Sequence, residues 1–138
     1  MEKTISVVII EDTRKDVLRA SQVLKRAGIN NPAVFTFIPA ALMFLEDVVS
    51  GARSCPDLMI LDLDFGSESG FEVLRFYKAH PKLKSCQVIV WTVLGEREQE
   101  LCQLFGIKHF VSKHNTDASL LGAISDVRDL SSNAAGVQ

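Results

Sequence analysis

Short apolar runs that stop at a polar or acidic residue recur along the chain, and between them apolar positions return every three or four residues. Val7–Ile10 is a β-branched run halted by Glu11-Asp12, the pattern of a buried strand closed by polar residues. Residues 33–37, 57–62, 88–92 and 107–112 repeat the pattern. After the first run, Val17, Ala20, Leu24 and Ala27 share one helical face, with Thr13 or Asp12 able to cap it and Gly28 able to end it. Residues 40–49 predict a second helix with Leu42, Leu45 and Val49 on one side, closed by Ser50-Gly51. Gly70 opens a third, carrying Phe71, Leu74 and Tyr77, which His80-Pro81 stops because the residue before proline avoids the α region. Residues 96–105 predict a fourth with Leu101, Leu104 and Phe105 inward, and residues 117–130 a fifth with Leu120, Ile124 and Val127 inward.

Strand and helix thus alternate five times. Continuous apolar strands separated by amphipathic helices imply a parallel sheet covered on both faces. Right-handed crossovers leave few topologies, and the flavodoxin-like (βα)5 order 2-1-3-4-5 leads among them. The expected organisation is one α/β domain over residues 1–130, followed by a small polar tail, 131–138, that reads as disordered. In that order the carboxyl ends of strands one, three, four and five bring Glu11, Asp12, Asp62, Thr92 and Lys113 to one edge of the sheet.

Composition narrows the function without naming it. The 138 residues are 47% hydrophobic and 23% charged, enough for a packed core. A net charge of -2 with no Lys/Arg block argues against nucleic-acid or anionic-membrane binding by charge alone. The longest apolar-rich stretch, residues 35–45, contains Thr36 and Pro39 and is too short for a bilayer span. No signal-peptide pattern is present, because the apolar run at residues 5–10 meets Glu11 and Asp12 at once. Cys55, Cys86 and Cys102 lack C-x-x-C spacing, which fits a reducing, cytoplasmic setting.

Carboxylates gathered at one sheet edge repel each other and call for a cation or a lysine. Oxygen ligands favour Mg²⁺, which typically takes one or two carboxylates along with waters and phosphate oxygens. A lysine suits a phosphoryl oxygen as a point charge, a threonine hydroxyl can donate to another, and an ionised Asp is a nucleophile for phosphoryl transfer. The set at the strand ends suits reversible phosphorylation of Asp62.

The chain resembles a receiver domain of the two-component response regulators. The resemblance rests on Ile9-Ile10-Glu11-Asp12, Pro56-Asp57-Leu58-Met59-Ile60-Leu61-Asp62-Leu63, Gly70-Phe71-Glu72-Val73-Leu74, Val88-Ile89-Val90-Trp91-Thr92, Gly106 and Phe110-Val111-Ser112-Lys113, spread over about residues 5–130. It implies Asp62 as phosphoacceptor, Glu11 and Asp12 as the acidic pair, and Mg²⁺ on Asp12 and Asp62 with the backbone carbonyl of Asp64. It further implies Thr92 as the switch hydroxyl, Lys113 as the phosphate partner and Phe110 as the switch aromatic. The implied partners are a sensor histidine kinase or histidine phosphotransfer protein and a downstream protein on the helix 4–strand 5–helix 5 face; a homodimer is left open. Residues 28–32 and Ala41-Leu42-Met43-Phe44-Leu45 are similar to small single-domain regulators, some partnered with phytochrome-like kinases. A stand-alone switch is therefore expected, with output by protein contact and no catalysis beyond its own phosphorylation and dephosphorylation.

The chain also departs from that family. His114 follows the lysine where a proline, often cis, is usual; a non-proline cis bond costs about 2.5–4 kcal/mol, so this loop is trans or strained. Val93 replaces a small residue and is expected to crowd the site, Gly66 replaces a common proline, and Asp64 adds charge near Asp62. Two alternatives follow. A pseudo-receiver would bind partners without phosphate, motivated by His114 and Val93. A haloacid-dehalogenase-like phosphatase would use Asp62-Leu63-Asp64, although Gly66 and the early acidic pair do not match it. His80, His109 and His114 share no metal-ligand spacing and read as surface residues.

Overall fold

The central strands read as apolar runs because they are covered on both faces. The computed structural model of the protein describes residues 5–136. Its main sheet is five-stranded and parallel, built from β1 (Val7–Ile10), β2 (Ala33–Phe35), β3 (Leu58–Leu61), β6 (Gln87–Thr92) and β7 (His109–Ser112) in the order β2-β1-β3-β6-β7. Counting only these strands, that is the flavodoxin-like order 2-1-3-4-5. The helices are α1 (Arg14–Arg26), α2 (Ile38–Ser50), α3 (Phe71–Ala79), α4 (Glu96–Leu104) and α5 (Asp117–Gly136).

Alternate strand residues feed two cores. Val8, Ile10, Met59, Leu61, Val88 and Val90 pack with Ile38, Ala41 and Leu45 of α2, Leu74 of α3 and Cys102 of α4. Val7, Ile9, Leu58, Ile60, Ile89 and Trp91 pack with Ala20, Val23 and Leu24 of α1 and Leu120, Ile124 and Val127 of α5. A fully buried aliphatic side chain such as Leu24 contributes about 1.5–3 kcal/mol, so the two layers supply most of the driving force. No helix of the described residues is long and apolar enough to cross a membrane.

Several boundaries and one helix face differ from expectation. β2 ends at Phe35, because Phe37 becomes the extended N-cap of α2 and Pro39 is accommodated in that helix's first turn. In α4 the spacing predicts Leu101 and Leu104 inward, but they are 39% and 73% exposed, and Cys102 is the buried residue. Leu94, Cys102 and Phe105 form the packed stripe instead, at a helical period that a small thiol makes hard to see. α5 does not stop at Leu130 but runs to Gly136; Ala134 and Ala135 propagate an existing helix at little cost, while residues 137 and 138 lie outside the described part. His80 is half-buried rather than on the surface, stacked 4.0 Å from Phe76 with Nδ1 2.8 Å from the Phe76 carbonyl. Past Asp62 the chain forms a small antiparallel ribbon of β4 (Asp64–Phe65) and β5 (Glu68–Ser69), turned by Gly66 at φ 67°.

Candidate functional site

Sheet register sets the site. Ile10 pairs with Leu61 and Leu61 with Val90, while Thr92 pairs with Ser112. Glu11 and Asp62 therefore leave β1 and β3 side by side, and the Asp62 amide donates to the Ile10 carbonyl at 3.0 Å. Thr92 ends β6, and Lys113 follows β7 with its amide donating to the Thr92 carbonyl at 2.8 Å. Carboxyl ends of parallel strands are where such sheets place ligands.

Lys113 is the hub. Its Nζ lies 2.5 Å from Glu11 Oε1, 2.8 Å from Asp62 Oδ2 and 2.8 Å from Asp16 Oδ2. Asp62 Oδ1 accepts the Asp64 amide at 3.1 Å, and Glu11 Oε2 accepts both the amide and the hydroxyl of Thr13. Glu11, Asp62, Thr92 and Lys113 are all buried. Burial, reinforced by the Asp62 charge and opposed by the Lys113 hydrogen bond, holds the Glu11 carboxyl up at about 7. Burial alone would depress Lys113, but its bonds to Asp16, Asp62 and Glu11 outweigh that and hold the ammonium above its ordinary value. Burial likewise works against the Asp16 carboxylate, yet Lys113 and then Thr13 draw it below the usual range.

Glu11, Asp12 and Asp62 each offer a carboxylate oxygen within 4.8 Å of the others. Ligands about 2.1 Å from one octahedral ion stand roughly 3–4 Å apart, so small side-chain movements let this trio share a Mg²⁺. The donor set is all oxygen, as a hard cation prefers. The Asp64 side chain turns away from it, its Oδ1 accepting the Gly66 amide at 3.3 Å within the ribbon turn.

The Lys113–His114 loop needs no cis bond: none occurs among the described residues. Arg19 of α1 holds it, with Nη1 donating to the Lys113 carbonyl and Nη2 to the Asn115 carbonyl, each at 3.0 Å, while Nε pairs with Asp117 at 2.6 Å. The guanidinium also lies 5.0 Å from the Trp91 ring centroid, and Lys113 Nζ lies at the same distance. Arg19 and Asp16 are thus functional contributors that sequence reasoning missed. Their only signal is an i, i+3 spacing one turn into the helix that follows Asp12. Arg19→Ala is expected to cost about 1–2 kcal/mol in urea denaturation and to speed amide exchange at Asn115, whose amide otherwise closes a turn on the Ser112 carbonyl.

Thr92 is fully buried, its Oγ1 accepting the Leu94 amide at 3.3 Å. Val93 points outward, 44% exposed, instead of crowding Asp62. Phe110 is half-buried and lines a cavity of about 400 Å³ with Val93, Leu94 and Gln99. The structure thus gathers Glu11, Asp12, Asp62 and Lys113, with Thr92 bonded through its backbone to Lys113, while Phe110 pairs with Val90, two positions before Thr92 on β6.

No family model matches the chain. Response regulator Rcp1 of Synechocystis is 32% identical over 88 residues, which cover 62% of this chain and 60% of that protein. The chain therefore spans about three fifths of the length of that curated relative. A signal receiver domain from Vibrio parahaemolyticus superposes with a TM-score of 0.79 at 22% identity, over 99% of this chain and 98% of that one. The bacteriophytochrome response regulator AtBRR superposes with a TM-score of 0.72 at 25% identity, over 91% and 93%.

Proposed function

We infer that this chain, a receiver domain of the response-regulator type, is a signalling switch that accepts a phosphoryl group on Asp62. The observation that carries this is the contact of Lys113 Nζ with Asp62 Oδ2 at 2.8 Å, in a pocket whose other walls are Glu11 and Asp12. In the proposed step an Asp62 oxygen attacks the phosphorus of a phosphohistidine on a sensor kinase or phosphotransfer protein. The P–N bond breaks and its electron pair leaves on the imidazole. Mg²⁺ held by Glu11, Asp12, Asp62 and the Asp64 carbonyl would neutralise phosphoryl oxygens.

The chain's own groups do the rest. Lys113 keeps its charge and follows one phosphoryl oxygen. Thr92 accepts from Leu94 and so keeps its hydroxyl proton for a second. Drawing Thr92 toward the phosphoryl group opens room beside β6, and Phe110 turns inward from the cavity it lines. That shift changes the face made by α4, β7 and α5, where Leu101 and Leu104 already expose apolar surface to a downstream protein or a second copy. Catalysis is limited to the chain's own phosphorylation and dephosphorylation, in a cytoplasmic two-component pathway. The bacteriophytochrome regulator among the structural relatives makes a phytochrome-type kinase the first donor to try.

Trp91 is buried beside Thr92, with Lys113 Nζ 5.0 Å from its ring, so its fluorescence reports the site. Beryllium fluoride, a phosphoryl mimic, is expected to change that fluorescence only with Mg²⁺ present, and to change nothing in Asp62→Ala. A wild type that ignores Mg²⁺ and the mimic would favour the pseudo-receiver instead; turnover of a phosphomonoester would favour a phosphatase.

A further inference from the structure

Two thiols meet at the opposite edge of the sheet, far along β3 from Asp62. Cys55 precedes β3 and Cys86 directly precedes β6. These strands are neighbours in the register Leu58↔Gln87, and the Gln87 amide donates to the Asp57 carbonyl at 2.9 Å, clamping their leading ends together. By that register Cys86 stands opposite Asp57, two residues along from Cys55, and Ser85, the residue just before Cys86, is what touches the Cys55 sulfur. The Cys86 thiol donates to the Gln87 carbonyl at 3.6 Å, and Cys55 lies close enough for each thiol to shift the other's titration. Ser85 Oγ donates to Cys55 Sγ at 3.5 Å, and the Tyr77 hydroxyl fixes the Cys86 carbonyl at 2.7 Å. Cys55 is half-buried and Cys86 fully buried, so one sulfur can be reached from solvent and the other waits behind it.

We propose that Cys55 and Cys86 form a reversible dithiol–disulfide site, in which a peroxide oxidises Cys55 and Cys86 resolves the product. The Cys55 thiolate attacks one oxygen of hydrogen peroxide. An S–O bond forms, the O–O bond breaks, and the released hydroxide takes a proton to become water. Cys55 is then a sulfenic acid, oxidised by the two electrons the peroxide gained. Cys86 sulfur attacks Cys55 sulfur, the S–S bond forms and the S–O bond breaks, and the hydroxide leaves with the Cys86 proton as a second water. A dithiol reductant reverses the change.

The electrostatics suit these roles. The neighbouring Cys86 thiol, helped by Ser85, outweighs burial and the Asp57 charge and draws the Cys55 thiol down to about 6. The neighbouring Cys55 thiolate, then burial, pushes the Cys86 thiol far up, so Cys86 keeps its proton. Cys102 is buried in α4, and burial followed by the Glu98 charge pushes it up to about 11, which makes it an internal control. None of these groups belongs to the Asp62 pocket, so the site stands whether or not Asp62 is phosphorylated.

The test uses the full chain treated with a slight excess of hydrogen peroxide, followed by non-reducing intact mass and peptide mapping. The expected product is a monomer lighter by two hydrogens, yielding a Cys55–Cys86 linked peptide that dithiothreitol abolishes. Iodoacetamide at neutral pH should label Cys55 at least about tenfold faster than Cys102. In Cys86→Ser, dimedone should trap sulfenic acid at Cys55. Bridging through Cys102, cross-linking between chains in place of the internal bond, or sulfinic acid at Cys55 with Cys86 still alkylatable overturns the proposal in the wild type alone.

Discussion

Lys113→Ala should lower the stability of the metal-free protein by about 3–5 kcal/mol, the usual cost of stripping one partner from a buried ion pair. The ammonium touches Glu11, Asp62 and Asp16, and the first two carboxylates have side chains only 2% and 4% exposed. Removing it leaves neighbouring buried acids facing each other, with water poorly placed to solvate them. Two features separate this from loss of packing. Millimolar Mg²⁺ should return much of the loss, because a divalent cation on Glu11, Asp12 and Asp62 replaces the missing charge. The same substitution should also cost less in an Asp62→Asn background, with a coupling of at least about 1 kcal/mol, because fewer like charges remain to repel. Urea denaturation of the four proteins with and without Mg²⁺ decides it. Additive losses that ignore Mg²⁺ would mean that Lys113 contributes as an aliphatic stem and not as the counter-charge.

Legibility in the sequence followed burial. β1, β3 and β6 are covered on both faces, so their apolar runs are unbroken and their polar ends stand out. Those ends are the candidate site, which is why Glu11, Asp12, Asp62, Thr92 and Lys113 are legible from the pattern alone. The parts that escaped notice sit where pattern carries little information. Asp16 and Arg19 occupy a helix, where a charged residue reads as a solvated face; Thr13 gives Asp16 a local partner, but the contacts to Lys113 and to the β7–α5 loop come from tertiary packing of α1. The β4–β5 ribbon is two residues to a strand, too short for any period. In α4 two exposed leucines outweighed one buried cysteine in the pattern, although the cysteine marks the face that packs.

His114 shows how a local rule can be met by another device. A proline after the lysine would stiffen the loop through its ring. Here the Arg19 fork does so from outside, binding the carbonyls of Lys113 and Asn115, while the Ser112 hydroxyl accepts the His114 amide at 3.1 Å. The ammonium reaches Asp62 because the loop is held at both sides of His114.

Gly70→Ala is the second large effect, expected to cost about 1–3 kcal/mol and to weaken the Mg²⁺-dependent response of the Asp62 pocket. Gly70 adopts φ −64° and ψ −15°, ordinary helical backbone, so the requirement for glycine is space and not conformation. A Cβ there would fall 2.3 Å from the Asp62 carbonyl oxygen, 2.8 Å from Leu63 Cα and 3.1 Å from the Asp62 carbonyl carbon. All three are backbone atoms, so no side-chain rotation relieves the clash. The Gly70 amide also donates to the Leu63 carbonyl at 3.0 Å, which ties the start of α3 to the end of β3. Relief requires α3 and the Asp62 backbone to separate, and a small displacement of a reacting carboxylate is costly for transfer. Gly66 is the control. It has φ 67° but open space around its missing Cβ, so Gly66→Asn should cost only a few tenths of a kcal/mol and leave the response intact. If Gly70→Ala proves no more costly than Gly66→Asn in denaturation and in Trp91 fluorescence, the close packing of α3 on Asp62 does not position the acceptor.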